Sequence, residues 1–385
     1  MGIYSEYIGQ NFAFEQINHE RKGMLHLISH LRNRDVLVFA ADYTKGNAPI
    51  SISFEDLLPI NDQFSNLNGN RGLDLILETP GGSGEVAEDI VRLLRSKYND
   101  IAVIIPGWAK SAGTIMAMAC DEILMEPSSA LGPIDAQISR NGQVFSADAL
   151  IKGMEEIKEE VNRTNTLNVA YVPILQNISP GELQGAQNAL DFAKDLVQKW
   201  LVDYKFKDWN NHSDTGEPVS LEEKQKRAYE IASTLADHGK WLTHGRSIKI
   251  QDLEDMKLKI VDYSKDEELA DAIRRYYTLL KLTFESNVYK VYETVDSQIF
   301  KSINNGGISQ PDAQPIPKSI PVQIECGNCS NPMDVQANLG EEQPLEEGYL
   351  PFPPNNILKC TKCPIELDIT QIRKQIESQT GLPVV

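Results

Sequence analysis

The sequence predicts an α/β fold for its first half, with a largely parallel sheet between helices. Short apolar runs rich in Val, Ile and Leu alternate with segments in which apolar residues recur at helical spacing. Repeated alternation of strand and helix is typical of βαβ units, whose strands pair in parallel. The predicted strands cover residues 35–40, 73–77, 101–105, 122–125 and 260–262.

Helices are predicted before and between these strands. The first covers residues 12–32, and a short second helix begins at the start signal Ser53-Phe54-Glu55-Asp56. A further helix begins near Ser111. Another helix is predicted between the one that begins at Ser53 and the one near Ser111. It carries an apolar stripe at positions i, i+4, i+7 and i+8, made by Val86, Ile90, Leu93 and Leu94.

Helical patterns dominate after about residue 165. A helical insertion is predicted at about 165–236, and a capping box at Ser264 and Glu267 opens a later stripe of apolar residues. Because that stripe continues to residue 299, we expect one long helix over 263–300 that serves packing or oligomerisation. One face of the helix within the insertion is formed by Leu183, Ala186, Leu190, Ala193, Val197 and Trp200.

These patterns predict a division into a core domain, a helix, a linker and a small module. The core domain is expected at 1–262 and the long helix at 263–300. Residues 301–320 are rich in Gly and Pro, which is typical of a linker. Residues 321–385 then form the module.

Composition and charge exclude several classes of protein. The 385 residues are 41% apolar and 24% charged, as in ordinary globular proteins, and the net charge is −18. An acidic surface argues against binding nucleic acid or anionic membranes. No apolar run approaches the roughly 20 residues of a membrane span, and the first residues lack the pattern of a signal peptide. We therefore expect no integral membrane segment and a cytoplasmic location.

Four of the five cysteines form two C-x-x-C pairs. In a reducing compartment, two such pairs predict one structural Zn²⁺ per chain, bound by four thiolates in a zinc-ribbon-like module. Cys120 lies in an apolar run and is predicted to be a small core residue. The predicted metal ligands are Cys326, Cys329, Cys360 and Cys363.

A serine and a pair of glycines follow two neighbouring predicted strands. Ser111 stands where the strand 101–105 gives way to a helix, and Gly81-Gly82 follows the strand 73–77. Glycines allow a sharp turn that aims a backbone N–H at a bound group. A serine and an N–H donor are what acyl-transfer chemistry needs. As the alternative, Ser111 is a helix N-cap and the glycines form a plain turn.

Four motifs in a fixed order carry a resemblance to a known family. Over roughly residues 30–262 the chain resembles the serine dehydrogenase proteinase family, part of the Clp protease/crotonase-like superfamily that also holds signal peptide peptidase A. The resemblance implies a spiral of repeated ββα units, serine-peptidase chemistry and homo-oligomerisation through helical additions. It also implies that the N–H groups of Gly82 and Ala112 form an oxyanion hole. The motifs are Thr79-Pro80-Gly81-Gly82, Ser111-Ala112-Gly113, Leu131-Gly132-Pro133-Ile134-Asp135 and Trp241-Leu242-Thr243-His244-Gly245.

The general base that activates Ser111 is the open part of this assignment. The Clp pattern places a histidine about 25 residues after the serine, and none occurs there. Relatives similar to signal peptide peptidase use a lysine about forty residues downstream, which matches Lys152. This role requires burial that lowers the lysine pKa. His238 is the alternative base, Asp135 is a candidate for support, and His244 resembles a turn or interface residue.

The leading hypothesis is an intracellular serine peptidase that cleaves peptides or unfolded proteins through a Ser-Lys acyl-enzyme mechanism. The first alternative is a crotonase-like acyl-CoA enzyme, which uses the same two N–H donors without a serine. The second is a non-catalytic oligomeric scaffold. Residues 321–385 hold four basic and nine acidic residues, so the zinc module is expected to recruit a protein partner rather than nucleic acid.

Overall fold

The computed structural model describes residues 2–140, 143–212, 215–303, 318–380 and 382–385. The chain divides into two compact units, and the first ends at Ile303. Most of the predicted linker, residues 304–317, lies outside the described residues, while its two ends belong to strands. Among the described residues, no helix combines the length and apolar character that a membrane span requires.

The first unit is built on a seven-stranded mixed sheet with the strand order β11-β10-β1-β2-β3-β5-β9. The pairs from β1 to β9 are parallel, and β10 and β11 are antiparallel additions beside β1. The predicted α/β class is confirmed. The strands are β1 (Asp35–Ala41), β2 (Leu73–Glu78), β3 (Ile101–Ile104), β4 (Trp108–Ala109), β5 (Glu122–Met125), β6 (Ala130–Leu131), β7 (Gln137–Arg140), β8 (Gln143–Ser146), β9 (Val261–Asp262), β10 (Val288–Glu293) and β11 (Gln298–Ser302).

Helices cover both faces of the sheet. Residues of α3, α4, α5, α8 and α9 share one hydrophobic core with the sheet, and residues of α2 and α12 share a second core on the opposite face. Because the central strands are buried on both faces, their sequences are almost continuously apolar. The helices are α1 (Ile3–Gln10), α2 (Phe14–Arg32), α3 (Leu57–Ser65), α4 (Gly84–Arg95), α5 (Ala112–Met118), α6 (Ala147–Thr164), α7 (Val172–Gln176), α8 (Pro180–Trp200), α9 (Leu221–Ala236), α10 (His238–Trp241), α11 (Ile250–Asp255) and α12 (Glu267–Phe284).

Short parallel contacts lie beyond the carboxyl ends of the main strands. Ile52 bridges Gly82, Thr79 bridges Ala109, and β4 pairs with β6. Since Thr79 directly follows β2 and Ala109 ends the short strand β4 after β3, these contacts hold the segments after neighbouring strands side by side. The glycine turn and the segment that leads into Ser111 are therefore brought together at one edge of the sheet.

The prediction of a single helix over 263–300 is wrong. The helix α12 ends at Phe284, and the following residues form the hairpin of β10 and β11. Val288 and Val291 continue the helical spacing of the stripe, but these β-branched residues and the neighbouring Tyr289 and Tyr292 favour strands. Pairing of β10 with β1 decides the outcome, since it buries this segment on both faces of the sheet.

The helical addition to the core begins earlier than predicted, at Ala147 rather than near residue 165. Its first helix, α6, packs against α8, which in turn packs against α9. A π-helical turn at Leu201–Lys205 continues α8.

The second unit is a small β-rich module with its own apolar core. Met333, Val335 and Ala337 of one strand are buried in it, together with Cys326. Its elements are β12 (Ser319–Glu325), β13 (Pro332–Asn338), β14 (Leu350–Pro351), β15 (Ile357–Lys359), β16 (Glu366–Asp368) and α13 (Thr370–Thr380).

Candidate active site and candidate metal centre

Ser111 occupies a sharp turn between β4 and α5. Its backbone angles are φ 50° and ψ −117°, a conformation that non-glycine residues rarely adopt. Its side chain makes no capping hydrogen bond to α5, so it does not act as an ordinary N-cap. Strained strand-to-helix turns of this kind present the nucleophile in serine hydrolases.

The glycine turn packs directly against Ser111. A Cβ added to Gly81 would lie 2.6 Å from the Ser111 Cβ, and one added to Gly82 would lie 2.4 Å from the backbone N and O of Ile52. Both glycines also have positive φ angles, 99° and 150°. The side-chain hydroxyl of Thr79 accepts the Gly81 N–H at 3.1 Å and fixes the turn. Only glycine fits these two positions.

Two backbone N–H groups beside Ser111 have no acceptor among the described residues: those of Gly82 and Ala112. The Ile52 bridge uses the Gly81 carbonyl and the Ser83 N–H instead, and the Lys110 carbonyl accepts from Gly113. Ala112 is buried, where an unpaired N–H is costly unless a ligand accepts it, and Gly82 is exposed, so that a ligand can reach it from solvent. These two groups can therefore receive the oxygen of a bound carbonyl.

Asp135 holds two histidines. Its carboxylate is 1% exposed, and its two oxygens lie 3.0 Å from His238 Nδ1 and 2.7 Å from His244 Nδ1. Burial alone would raise the pKa of Asp135, but hydrogen bonds from His244, Ser146 and His238 outweigh it and hold the pKa below its ordinary value. The carboxylate is thus ionised and can orient both imidazole rings.

The segments that carry Asp135 and His244 both reach the residue before Ser111. Lys110 Nζ donates to the carbonyls of Leu131 and Arg246 at 3.1 and 3.0 Å. Burial, with a contribution from Lys249, lowers the pKa of Lys110 to about 8. A Cβ added to Gly132 would lie 2.7 Å from Lys110 Cδ. Lys110 therefore has a structural role, in which it ties these loops to the serine turn.

Lys152 lies in a different electrostatic environment from the one that its predicted role requires. Its ammonium group lies 2.8 Å from both Asp148 and Asp237, and the side chain is 49% exposed. Hydrogen bonds to Asp148 and Asp237 raise its pKa, whereas a general base needs a lowered one. Asp148 also accepts the backbone N–H of His238 at 3.1 Å, so Lys152 lies near the histidine cluster.

Among the described residues, no hydrogen bond joins Ser111 to Lys152, His238 or His244. The sequence does not predict that His238 and His244 share one carboxylate, and it favours a turn or interface role for His244. The motif Trp241-Leu242-Thr243-His244-Gly245 was the available signal. Because Asp135 and His244 are 109 positions apart, spacing alone could not pair them.

The four predicted cysteines form a candidate metal centre in the second unit. Their Sγ atoms all lie within 4.8 Å of one another, and the pairs Cys326–Cys363 and Cys329–Cys360 are 3.6 Å apart. Tetrahedral Zn²⁺ with Zn–S bonds of about 2.3 Å requires S–S distances of about 3.8 Å. Hydrogen bonds led by the Lys362 backbone N–H lower the pKa of Cys360 to about 6, whereas burial and the neighbouring thiols raise the pKa of Cys329 to about 12. The arrangement fits a metal ion such as zinc.

We expect metal analysis of the full-length protein to find one zinc per chain. Replacing Cys326 or Cys360 by serine should remove the bound zinc and make residues 318–385 sensitive to protease, because a metal contributes much of the folding free energy of so small a unit. Cys120→Ala is the matched control, since Cys120 is buried in the first unit and should leave the metal in place. Zinc-free protein with all four thiols alkylated in the native state would contradict this expectation.

The chain is similar to several known proteins. The protein MJ0137 of Methanocaldococcus jannaschii, which is uncharacterised, is 26% identical over 213 residues, covering 55% of this chain and 59% of the relative. MJ1495 of the same organism, also uncharacterised, is 29% identical over 136 residues, covering 34% and 47%. The chain thus spans about half the length of the curated relatives it matches.

Solved structures similar to the chain include two variants of the 1510-N membrane-bound stomatin-specific protease. The first is 15% identical, with a TM-score of 0.31, and the match covers 58% of this chain and 79% of that one. The second, in complex with a substrate peptide, is also 15% identical, with a TM-score of 0.30, covering 65% and 78%.

The family model that matches the chain describes a ClpP-like SDH-type serine proteinase, and it matches residues 52–184. The matched range contains the glycine turn, Ser111 and Asp135. The resemblance predicted from the four motifs is confirmed. Over residues 52–184 the chain is thus similar to the ClpP-like SDH-type serine proteinase family.

Proposed function

We propose that this protein is a serine peptidase that cleaves peptides or unfolded proteins through an acyl-enzyme on Ser111. The observation that carries the proposal is the strained serine turn flanked by the unpaired N–H groups of Gly82 and Ala112. In this reaction the Ser111 hydroxyl attacks the scissile carbonyl while a base takes its proton. The carbonyl oxygen becomes negatively charged, and the two N–H groups stabilise that charge. Water then releases the acyl group and restores the serine.

We further propose that the base is a histidine held by Asp135 rather than Lys152. The ionised carboxylate can fix one tautomer of the imidazole and stabilise the imidazolium that forms, as in other serine hydrolases. Contacts of Lys110 with the loops of Asp135 and His244 support their closeness to Ser111. Two carboxylates hold Lys152 in its charged form, which does not favour the Ser-Lys mechanism.

The finer features that the family resemblance implies are proposed on the same basis. The short parallel contacts beyond β2 and β3 support a spiral of ββα units, since each places a second short strand between a main strand and its helix. We also propose homo-oligomerisation through the helices α6–α8, a cytoplasmic location, and recruitment of a protein partner by the metal module.

Replacing Gly82 by alanine is expected to slow acylation of Ser111 by about a hundredfold, the order of effect of losing one oxyanion donor. The new Cβ would displace the turn, because it would lie 2.4 Å from the Ile52 backbone. The rate of reaction with a fluorophosphonate measures this step. Gly185→Ala is the control, because nothing lies within 4 Å of its added Cβ and the rate should be unchanged. An undiminished rate in Gly82→Ala would contradict the prediction that the position of this N–H controls acylation.

The proposed function is tested by reaction of the full-length protein with a fluorophosphonate, followed by peptide mapping. We expect one modified residue, Ser111, and inhibition of peptide cleavage in proportion to labelling. A protein that does not react but binds acyl-CoA would be the crotonase-like alternative. A protein that does neither would be the oligomeric scaffold.

A further inference from the structure

A buried glutamate holds the segment that leads into Ser111. Glu78, the last residue of β2, is fully buried, and its Oε2 accepts the backbone N–H of Trp108 at 2.7 Å. Its Oε1 accepts the hydroxyl of Tyr277 at 3.0 Å. A Cβ on Gly107 would lie 2.6 Å from this carboxylate, so the chain passes the glutamate at a residue that has no side chain.

Backbone hydrogen bonds extend this attachment towards the serine. Thr79 N–H donates to the Trp108 carbonyl at 2.9 Å, and Lys110 N–H donates to the Thr79 carbonyl at 3.0 Å. Residues 108–110 are thus fixed to residues 78–79 through three successive hydrogen bonds, and the chain turns at the next residue, Ser111. Glu78 at the end of β2 and Thr79 after it also lead into the glycine turn. Glu78 therefore contacts the segment of residues 108–110, which leads into Ser111, and lies just before the turn that carries the Gly82 N–H.

We propose that Glu78 is a positioning residue: its buried carboxylate, through the Trp108 N–H, sets the position of Ser111 relative to the glycine turn. This inference rests on the proposed peptidase function, and it names a group that would not touch substrate. A shift of about 1 Å in a reacting group can cost about a hundredfold in rate. The Trp108 N–H lies three residues before Ser111, so losing its hydrogen bond to Glu78 would loosen the segment that leads into the serine turn.

The groups that surround Glu78 come from three elements. Tyr277 and Lys281 face it from α12, Asp42 and Tyr43 from the segment after β1, and Trp108 from β4. Burial raises the pKa of Glu78 to about 7, although the Trp108 N–H, Lys281 and Tyr277 act in the opposite direction. An ionised carboxylate accepts an N–H more strongly than its neutral acid does. The hydrogen bond from the Trp108 N–H to Glu78 is therefore stronger above about pH 7 than below it.

The direct test is an NMR titration of full-length protein labelled with ¹⁵N-tryptophan. The chain contains four tryptophans, and Trp108→Phe identifies the amide signal of Trp108. We expect this signal to shift with a midpoint near pH 7 in the wild type and to stay constant in Glu78→Gln. A Trp108 amide that does not titrate near neutrality, or that titrates equally in Glu78→Gln, would overturn the inference whether or not the protein proves to be a peptidase.

Two neighbouring tyrosines provide a matched pair of variants. The Tyr277 hydrogen bond lowers the Glu78 pKa, so Tyr277→Phe should move the midpoint to higher pH. Tyr276, the preceding residue of α12, donates instead to Glu293 at 2.7 Å, so Tyr276→Phe should leave the midpoint unchanged. Equal effects of the two substitutions would indicate a general disturbance of α12 and would contradict the specific role of Glu78.

The positioning role is tested by kinetics. Glu78→Gln preserves the shape of the side chain and mimics the protonated acid, so it should lose the part of the pH–rate profile that follows Glu78. Glu78→Ala should lower kcat by about tenfold or more with KM little changed. If Glu78→Ala does not fold, Glu78→Gln alone decides the question. A pH–rate profile that is identical in Glu78→Gln and the wild type would overturn the positioning role, even where the NMR titration behaves as expected.

Thermal unfolding separates this role from a purely structural one. Folding raises the pKa of Glu78 from 4.5 to about 7. Between these values the carboxyl ionises in the unfolded chain but stays protonated in the folded one, so stability is lost as pH rises through this window. We therefore expect Glu78→Gln to gain in melting temperature relative to the wild type between about pH 4.5 and 7. A residue that matters only for stability would lower activity and stability together. A melting temperature difference that is independent of pH would contradict the buried titration.

Discussion

Ser111→Ala is expected to abolish fluorophosphonate labelling and to lower peptide cleavage by more than about a thousandfold. The substitution removes the nucleophile but only one hydroxyl group that makes no capping hydrogen bond. The fold and its stability should therefore be unchanged. Alanine does not relieve the turn, because the φ of 50° at residue 111 is as unfavourable for alanine as for serine. Labelling, cleavage and melting temperature are the measurements.

The control for this substitution is Ser220→Ala. Ser220 is a true N-cap, whose hydroxyl accepts the Glu223 N–H at 3.2 Å at the start of α9. Its replacement should cost about 1 kcal/mol in stability and leave labelling intact. If Ser111→Ala behaved in the same way, with reduced stability and full turnover, Ser111 would be a structural residue and the peptidase proposal would fail.

Asp135→Asn is expected to lower kcat by about a thousandfold or more, because an amide cannot stabilise the imidazolium and allows the wrong tautomer. Lys152→Met should change kcat little, since its two carboxylate partners already keep the lysine charged. His238→Ala and His244→Ala then identify the base, because only one of them should match the loss in Asp135→Asn. An inactive Lys152→Met variant together with an active Asp135→Asn variant would contradict the histidine base and support the Ser-Lys mechanism.

The behaviour of Asp135 in acid provides a check on its folded environment. Its pKa is held below the ordinary value, so its contacts stabilise the fold above the ordinary carboxyl pKa and lose this effect as pH falls through the lower value. In Asp135→Asn this component of the acid dependence of unfolding should be missing.

Local sequence patterns were sufficient for the main strands, the glycine turn, the serine and the four cysteines. Each of these depends on a few consecutive residues: β2 and β3 are apolar runs of strand length, and Gly81-Gly82 has φ angles that only glycine tolerates well. The two C-x-x-C pairs likewise indicate the four candidate metal ligands from a few consecutive residues each. The family resemblance rests on such local motifs taken in order.

Only the tertiary structure decided the features that depend on distant partners. Residues 288–302 are strands because β1 offers an edge for pairing, although their apolar spacing also fits a helix. Lys152 is charged because α6 and the segment before α10 each bring it a carboxylate, and its distance in sequence from Ser111 carries no information about either. Hydrogen bonds between distant segments also give Asp135 its two histidine partners and Glu78 its Trp108 partner. These residues lie up to 109 positions apart in the sequence. A pKa depends on such neighbours and on burial, and the chain acquires both only when it folds.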